Sequence, residues 1–338
     1  MLRPSLSASE TWLADFDFQP LPFLRNAHIQ TVLGVLMPGL NCPLPDQRHL
    51  VDLADGDRLV LHNNTPLGWK AGDPMALLVH GLSGSHTSAH IRRLTALLLA
   101  RRVRVVRMDQ RGAGAGIALA RGVYHAGRSD DVRAALAEIH GWSPSSPLLV
   151  IGLSLGGALA LRLAGEAADR PVPGLTRLVA LSPPIDLSRC AALLSLPKNR
   201  IYEGNFLRDL LIEARHRQRF FPDLPPLRFP RRRLTMRLFD DLYTAPRSGF
   251  ADALDYYHRA SCAALVPHIQ IPTLILTARD DPFIAIEPFE NLEAPSHILV
   301  RIVNHGGHLG FLGWDGGGGI RWAERRIVEW ICQSEHSV

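Results

Sequence analysis

The sequence predicts an α/β protein with a mostly parallel central sheet and helices on both faces. Short apolar runs of strand length alternate with longer segments of helical periodicity along most of the 338 residues. This alternation is typical of parallel sheets, because each crossover helix packs on a face of the sheet. At one strand-to-helix transition the chain reads Gly152-Leu153-Ser154-Leu155-Gly156, a serine between spaced glycines.

The predicted elements follow in chain order. Residues 48–54 and 58–62 alternate around Asp55-Gly56 and predict a β-hairpin. The later predicted strands are 75–79, 103–108, 148–153, 178–181, 272–277 and 298–303. The predicted helices are 87 to about 101, 130–139, the run after Ser154, and 320–331, whose apolar stripe should pack on the sheet.

Two segments depart from this alternation of strands and helices. Residues 1–47 are proline-rich and weakly periodic, and we expect an arm packed on a single domain at 48–338. Residues 187–267 contain helical segments, prolines and arginines but no clear strand. An insertion of that size in a regular series predicts a helical cap over the active-site end of the sheet.

Composition excludes several classes of protein. The net charge of +5 is mildly basic and does not by itself indicate a nucleic-acid binder. Four widely spaced cysteines predict neither a zinc site nor a disulfide framework, which fits a reducing cytoplasm. We expect no signal peptide, because acidic residues stand where an apolar core would be, and no membrane span.

The serine motif predicts a nucleophile. A serine between a strand and a helix sits on a tight turn that exposes its hydroxyl above the sheet. A serine hydroxyl needs a base to take its proton, and in this arrangement an acid and then a histidine follow along the chain. Asp281 and His308 each follow a predicted strand, so both should lie at the edge where Ser154 lies.

Each of the two expected partners of Ser154 has an alternative residue nearby in the sequence. Asp280 could replace Asp281, but the acid of this loop usually directly precedes a proline, as Asp281 does. His305 could replace His308, but the glycines before His308 allow a sharper approach to Ser154.

The oxyanion of an acyl-transfer reaction needs backbone donors. We expect one from the amide of Leu155, which begins the helix after the serine. The second should be the amide of Leu82 in the glycine-rich turn His80-Gly81-Leu82-Ser83-Gly84. These steps call for no metal and no organic cofactor.

Other patterns have simpler interpretations. His125 and Asp130 fit an H-x-x-x-x-D acyltransferase pattern, but Asp130 suits the start of a helix. Asp109 and Arg111 should brace the loops around the site. The arginine-rich segment 228–237 is interpreted as a solvated face, and no nucleic-acid module accompanies it.

Several pieces together resemble the α/β-hydrolase superfamily and, within it, the YheT-like hydrolases, which include embryogenesis-related and abhydrolase-domain proteins. The N-terminal piece has the pattern N-x-H-x-Q-T. The pieces are 22–31, His80–Ser85, Arg111-Gly112, Tyr124–Gly127, Gly152–Gly157, Gly249-Phe250, Tyr256-Tyr257, 280–283 and 306–311.

The resemblance implies a carboxylesterase-like serine hydrolase with an uncertain natural substrate, and it places the triad on Ser154, Asp281 and His308. An acyltransferase or thioesterase with the same triad is the alternative, and a catalytically silent interaction protein is the rival from another class. We expect a small ester or acyl substrate and no nucleic-acid partner. Animal relatives act on lipids, so peripheral membrane contact stays open, as does the oligomeric state.

Overall fold

One twisted sheet organises the computed structural model, which describes residues 17–37, 39, 47–230 and 233–333. Within these ranges eight strands lie side by side in the order β1-β2-β4-β3-β5-β6-β7-β8. The strands are β1 Gln47–Asp52, β2 Arg58–Asn64, β3 Met75–Val79, β4 Arg104–Asp109, β5 Leu148–Leu153, β6 Leu175–Leu181, β7 Thr273–Ala278 and β8 Ile298–Val303.

The pairing of the strands is mostly parallel. Strands β1 and β2 form the predicted hairpin, with Asp52 opposite Arg58, and β2 also runs antiparallel to β4. Every other neighbouring pair is parallel. The predicted fold class is therefore confirmed. The predicted strand at 178–181 begins earlier, at Leu175.

Ten helices accompany the sheet in the described ranges. They are α1 Ala27–Leu36, α2 Ala89–Ala100, α3 Ser129–Trp142, α4 Leu155–Glu166, α5 Leu187–Leu194, α6 Arg200–Phe220, α7 Met236–Phe239, α8 Ala253–Ala260, α9 Glu287–Glu290 and α10 Trp322–Ile331. Short 3-10 turns occur at Gly114–Gly116, Pro197–Asn199 and Ala263–His268, and a π turn occurs at Asp240–Thr244.

Both faces of the sheet are covered. All five residues of β3 are buried, since alternate side chains of a strand point to opposite faces. Leu77 and Val79 pack with buried residues of α3 and α4, whereas Ala76 and Leu78 pack with buried residues of α2 and α10. The sheet thus carries a hydrophobic layer on each side and leaves its strand ends free for a site.

The segment between β6 and β7 is helical. In its described part, which leaves out residues 231–232, it contains α5, α6, α7 and α8 and no strand. Side chains of α5, α6 and α7 line the same cavity as Ser154, at the carboxyl ends of the strands.

The described part of the N-terminal segment lies against the C-terminal part of the chain. Phe18 contacts the rings of Phe311 and Trp322. Gln30 is fully buried, and its side chain accepts a hydrogen bond from the amide of Leu312 and donates one to the Leu312 carbonyl. The rest of 1–47 lies outside the described residues, apart from Gly39 and the start of β1.

Candidate active site

Ser154 forms the turn between β5 and α4. Its backbone has φ 51° and ψ −121°, a conformation that non-glycine residues rarely adopt. The Ser154 amide donates to the carbonyl of Leu181, and its carbonyl accepts from the amides of Gly157 and Ala158. These bonds hold the strained turn, which presents the hydroxyl at the carboxyl edge of the sheet.

The glycines of the motif allow close contact between backbones. A β-carbon at Gly156 would lie 2.3 Å from the carbonyl oxygen of Val79 at the end of β3. A β-carbon at Gly81 would lie 3.1 Å from that of Ser154. Helix α4 therefore starts directly against β3, and the turn after β3 passes beside the serine.

His308 lies between Ser154 and Asp281. Its Nε2 is 3.0 Å from the hydroxyl of Ser154, and its Nδ1 is 2.8 Å from Oδ2 of Asp281. The side chain of Asp281 is fully buried, and that of His308 is nearly so. The structure thus brings together the three predicted side chains, which come from the ends of β5, β7 and β8.

The buried carboxylate fixes the imidazole. The other oxygen of Asp281, Oδ1, accepts hydrogen bonds from the amides of Phe283 and Ile284. Oδ2 is then the oxygen that accepts the Nδ1–H of His308. With its proton on Nδ1, the ring leaves Nε2 unprotonated and able to accept the proton of Ser154.

The rival residues pair with each other. Nδ1 of His305 is 3.4 Å from Oδ2 of Asp280. Oδ1 of Asp280 accepts the amide of Gly307, the residue before His308. Asp280 therefore supports the loop that carries His308.

The N-terminal helix holds the same loop from the other side. The backbone amide of His308 donates to Oγ1 of Thr31 at 2.9 Å. The Thr31 hydroxyl in turn donates to the carbonyl of Ala27. A β-carbon at Gly307, where φ is 56°, would lie 2.3 Å from that carbonyl, so the loop lies directly on α1.

Hydrogen bonds of the His80 ring stabilise the turn after β3. The backbone amide of Gln110 donates to Nε2 of His80, so Nδ1–H of His80 donates to the carbonyl of Gly81 at 2.7 Å. Burial lowers the pKa of His80, which keeps the ring neutral. Because the two groups of a trans peptide point in opposite directions, this bond directs the amide of Leu82 away from His80.

Tyr124 holds the next peptide. Its hydroxyl accepts the amide of Ser83 at 2.8 Å and lies 3.3 Å from Oε2 of Glu213 on α6. The Ser83 amide is thereby occupied, so the amide of Leu82 stays the candidate oxyanion donor of this turn. The amide of Leu155 is the first of α4, where helical N–H groups have no partner within the helix.

Asp109 and Arg111 brace the loops as the sequence predicted. The guanidinium of Arg111 bridges Asp57, at the hairpin, and Asp131, on α3. The carboxylate of Asp109 accepts hydrogen bonds from the rings of His62 and His86. Burial alone would raise the pKa of Asp109, but these hydrogen bonds hold it well below its usual range.

His62, His86 and Asp109 do not suit a metal ion. The two imidazole rings are stacked, with centroids 3.5 Å apart and planes within 8° of parallel. The lone pair of an imidazole nitrogen lies in the ring plane, so one ion cannot lie in both planes. The cluster is explained by its hydrogen bonds.

The remaining sequence patterns lie in ordinary surroundings. Asp130 lies in the first turn of α3, as expected. His125 is buried, and burial together with Arg128 lowers its pKa to about 3. Residues 231–232 of the arginine-rich segment, like Cys42, lie outside the described residues. The flanking arginines, which are Arg228, Arg233 and Arg237, are exposed, and Arg233 pairs with Glu203. Cys190 and Cys262 are buried free thiols.

Two cavities meet at Ser154. The inner cavity, of about 130 Å³, lies between the sheet and the helices after β6. Its apolar lining includes Leu187, Leu194, Leu210, Met236 and Phe239. The outer cavity, of about 580 Å³, lies between α1, the start of α2, and α6. His308 lines the outer cavity and is not part of the lining of the inner one.

Sequence reasoning missed the supporting hydrogen bonds. Thr31 and Tyr124 belong to short motifs of the sequence, but those motifs do not indicate a contact to His308 or to the glycine-rich turn. Gln110 lies between Asp109 and Arg111, and the sequence does not indicate its contact with His80. The sequence feature that could have indicated these contacts is the position of polar residues inside the short motifs, next to apolar runs.

The fold and the placement of Ser154 define a class of protein. A mostly parallel sheet with a serine at a strained strand-to-helix turn is the architecture of the α/β hydrolases. The chain belongs to the alpha/beta hydrolase family, whose pattern matches residues 76–315.

Relatives narrow the comparison. The chain is 31% identical to YheT of Escherichia coli (strain K12), a protein classed by its name as an esterase, over 93% of each chain. It is 28% identical to medium-chain fatty acid ethyl ester synthase/esterase 2 of Saccharomyces cerevisiae (strain ATCC 204508 / S288c). That match covers 78% of this chain and 63% of the yeast protein. The resemblance to YheT-like hydrolases is thus confirmed.

A solved structure supports the fold. The Pyrococcus furiosus esterase Pf2001 aligns with a TM-score of 0.55, over 87% of this chain and 97% of its own. The two are 16% identical, so the similarity concerns the fold alone. No helix of the described residues has both the length and the apolar composition needed to cross a bilayer.

Proposed function

We propose that the protein is a serine hydrolase that cleaves carboxylic esters through an acyl-enzyme. The observation that carries the proposal is the continuous chain from the Ser154 hydroxyl through His308 to the buried carboxylate of Asp281. In the α/β-hydrolase family this order of groups suits nucleophilic attack on an acyl carbon.

The first half of the reaction forms the acyl-enzyme. Nε2 of His308 takes the proton of Ser154 as Oγ attacks the ester carbonyl carbon, and the carbonyl electron pair moves to its oxygen. The imidazolium is stabilised by Asp281, which stays ionised. When the tetrahedral intermediate collapses, the carbon–oxygen bond to the alcohol breaks, and His308 gives its proton to the leaving oxygen.

The oxyanion is assigned to the amides of Leu82 and Leu155. One amide is directed by the His80–Gly81 hydrogen bond, and the other is the first N–H of α4. Removal of one such donor in a serine hydrolase costs about 10²–10³-fold in kcat. The supports of the glycine-rich turn therefore matter for rate.

The second half releases the acid. A water molecule, deprotonated by His308, attacks the acyl carbon, and the proton returns to Oγ of Ser154 as the acyl–oxygen bond breaks. An alcohol or thiol in place of water would give acyl transfer through the same intermediate. This is the second candidate function, which the name of the yeast ester synthase/esterase favours.

The helices after β6 are assigned the role of a cap. They line the mainly apolar inner cavity beside Ser154, which would bind an acyl chain. We thus assign a role in substrate binding to the predicted cap at residues 187–267.

A fluorophosphonate probe tests the proposal. It phosphonylates a serine only when a neighbouring base activates the hydroxyl, so we expect stoichiometric labelling that mass spectrometry maps to Ser154. Labelling should be lost in His308→Ala. Failure of the folded wild-type protein to label would contradict the proposal and favour a catalytically silent interaction protein. Product analysis with added ethanol would separate hydrolysis from acyl transfer.

A further inference from the structure

The two cavities at Ser154 differ in size, in lining and in their relation to His308. We infer that they divide one ester between them, with the acyl group in the inner cavity and the alcohol group in the outer cavity. This inference rests on the proposed function and adds the substrate class to it.

The position of His308 decides which part of the ester lies where. The leaving oxygen must receive its proton from Nε2 of His308, which lies 3.0 Å from Oγ of Ser154. The imidazole lines the outer cavity. The leaving oxygen, and the alcohol group attached to it, therefore lie on the outer side of Ser154.

The acyl group then lies on the other side of Ser154, toward the inner cavity. Leu155, whose amide is assigned to the oxyanion, lines the inner cavity together with Ser154. The acyl carbon stays bonded to Oγ until deacylation, so its chain needs a site that persists after the alcohol has left. The inner cavity gives such a site.

The inner cavity limits the size of the acyl group. Its volume is about 130 Å³, and its lining is mainly apolar. At one wall the hydroxyl of Tyr257 donates to the buried carboxylate of Asp240 at 2.7 Å, so these polar groups satisfy each other. Glu213 and Arg217 also line this cavity, and its small volume and mainly apolar lining fit a compact acyl chain.

The outer cavity accepts a larger group. Its volume is about 580 Å³. Apolar side chains from α1 and α2 stand on one side, and α6 adds polar side chains. The apolar set includes Val32, Val35 and Ile91, and the polar set includes Asn205, Arg208 and Asp209. Arg208 donates to Asp209, so these two charged groups pair with each other, and a bulky, mainly apolar alcohol group complements this lining.

The substrate class is therefore an ester that joins a short acyl chain to a bulky, mainly apolar alcohol. The assignment predicts an asymmetry between isomeric esters. Dodecyl butanoate and butyl dodecanoate have the same atoms and a similar reacting centre, but the long chain is on the alcohol side in the first and on the acyl side in the second.

The experiment measures kcat/KM of the full-length wild-type protein on this pair, in mixed micelles of one fixed detergent. We expect dodecyl butanoate to be preferred by at least about tenfold, because a misplaced methylene in an apolar pocket costs roughly that much. Equal rates, or a preference for butyl dodecanoate, would overturn the inference.

Two variants locate the effect. Ala191→Phe narrows the inner cavity and should lower the ratio of kcat/KM for dodecyl butanoate over dodecyl acetate. Ala89→Phe narrows the outer cavity and should lower the ratio for dodecyl acetate over ethyl acetate. The assignment would be overturned if Ala191→Phe lowered instead the ratio for dodecyl acetate over ethyl acetate, or if Ala89→Phe lowered the ratio for dodecyl butanoate over dodecyl acetate. If either variant does not fold, the wild-type comparison still decides.

Failure of the proposed function gives a different result. If p-nitrophenyl acetate is hydrolysed no faster by the wild type than by Ser154→Ala, the serine mechanism fails, and this inference fails with it. If Ser154-dependent hydrolysis is present but the isomer preference is absent or reversed, only the division of the two cavities is wrong.

Discussion

Thr31 Oγ1 accepts a hydrogen bond from the backbone amide of His308 at 2.9 Å, across 277 residues of sequence. The hydroxyl is itself oriented by its donation to the carbonyl of Ala27, within α1. The N-terminal helix is thus attached to the loop that carries the proposed base. This contact gives the N-x-H-x-Q-T motif a physical role as a support for the position of His308.

Thr31→Val should therefore lower kcat while leaving KM nearly unchanged. Valine keeps the shape but removes the acceptor, so the buried amide of His308 loses its partner, which costs about 1–3 kcal/mol. A shift of the imidazole by a fraction of an ångström should reduce kcat about tenfold or more. Steady-state kinetics on p-nitrophenyl acetate measure both constants.

Thr31→Ser is the matched control, since it keeps the hydroxyl and should retain most of the activity. A Thr31→Val variant that melts at a lower temperature but has wild-type kcat would show that the contact supports the fold alone.

Tyr124→Phe should impair the proposed oxyanion donor, the amide of Leu82. The hydroxyl of Tyr124 holds the amide of Ser83, the residue after Leu82. Without it the glycine-rich turn can rotate its peptides, and we expect kcat to fall about tenfold, which is less than the roughly 10²–10³-fold lost when an oxyanion donor is removed outright. Fluorophosphonate labelling of Ser154 should slow in parallel. A rise in KM at unchanged kcat would instead assign Tyr124 to substrate binding.

Gly156→Ala should destabilise the protein. The new β-carbon would lie 2.3 Å from the carbonyl oxygen of Val79, so α4 would have to move off β3. Overpacking of this kind costs about 1–3 kcal/mol. Gly204→Ala, in the second turn of α6, has nothing within 4 Å of its β-carbon and should stabilise by about 0.5–1 kcal/mol.

Urea unfolding of the two glycine variants measures these opposite effects. Similar unfolding free energies for both would contradict the tight contact between the serine turn and β3.

Glu213 should make stability depend on pH. Burial raises the pKa of Glu213 from 4.5 to about 7, although nearby Arg217 opposes the rise. The folded protein therefore keeps a proton that the unfolded chain releases at lower pH, and stability should decrease as pH rises from about 4.5 to 7. Glu213→Gln removes this contribution, because its side chain does not titrate.

Thermal unfolding between pH 5 and pH 8 checks this prediction. The Tm of Glu213→Gln should rise relative to wild type as pH increases. Parallel Tm curves would show that Glu213 has an ordinary pKa in the folded protein.

Much of the fold could be predicted from the sequence. Hydrophobic runs such as 75–79 and 148–153 coincide with β3 and β5, because fully buried strands need continuous apolar residues. The order of Ser154, Asp281 and His308 along the chain, each after a strand, was enough to predict that they meet. The parallel sheet brings the carboxyl ends of its strands to one edge.

The supporting contacts could not be predicted in the same way. Thr31 and His308 are joined by one hydrogen bond between a side chain and a distant backbone group, which leaves no periodic pattern. The division into two cavities depends on where α1 and α6 lie relative to Ser154. Such packing is decided by tertiary contacts and not by local propensity.

The most direct test of the account is the rate of p-nitrophenyl acetate hydrolysis by Ser154→Ala compared with wild type. The account predicts a loss on the order of 10⁴-fold or more, because the nucleophile acts as a unit with its base. Ser143→Ala is the matched control, since Ser143 precedes β5 at the opposite edge of the sheet, and it should keep its activity. Wild-type activity in Ser154→Ala would contradict the central claim.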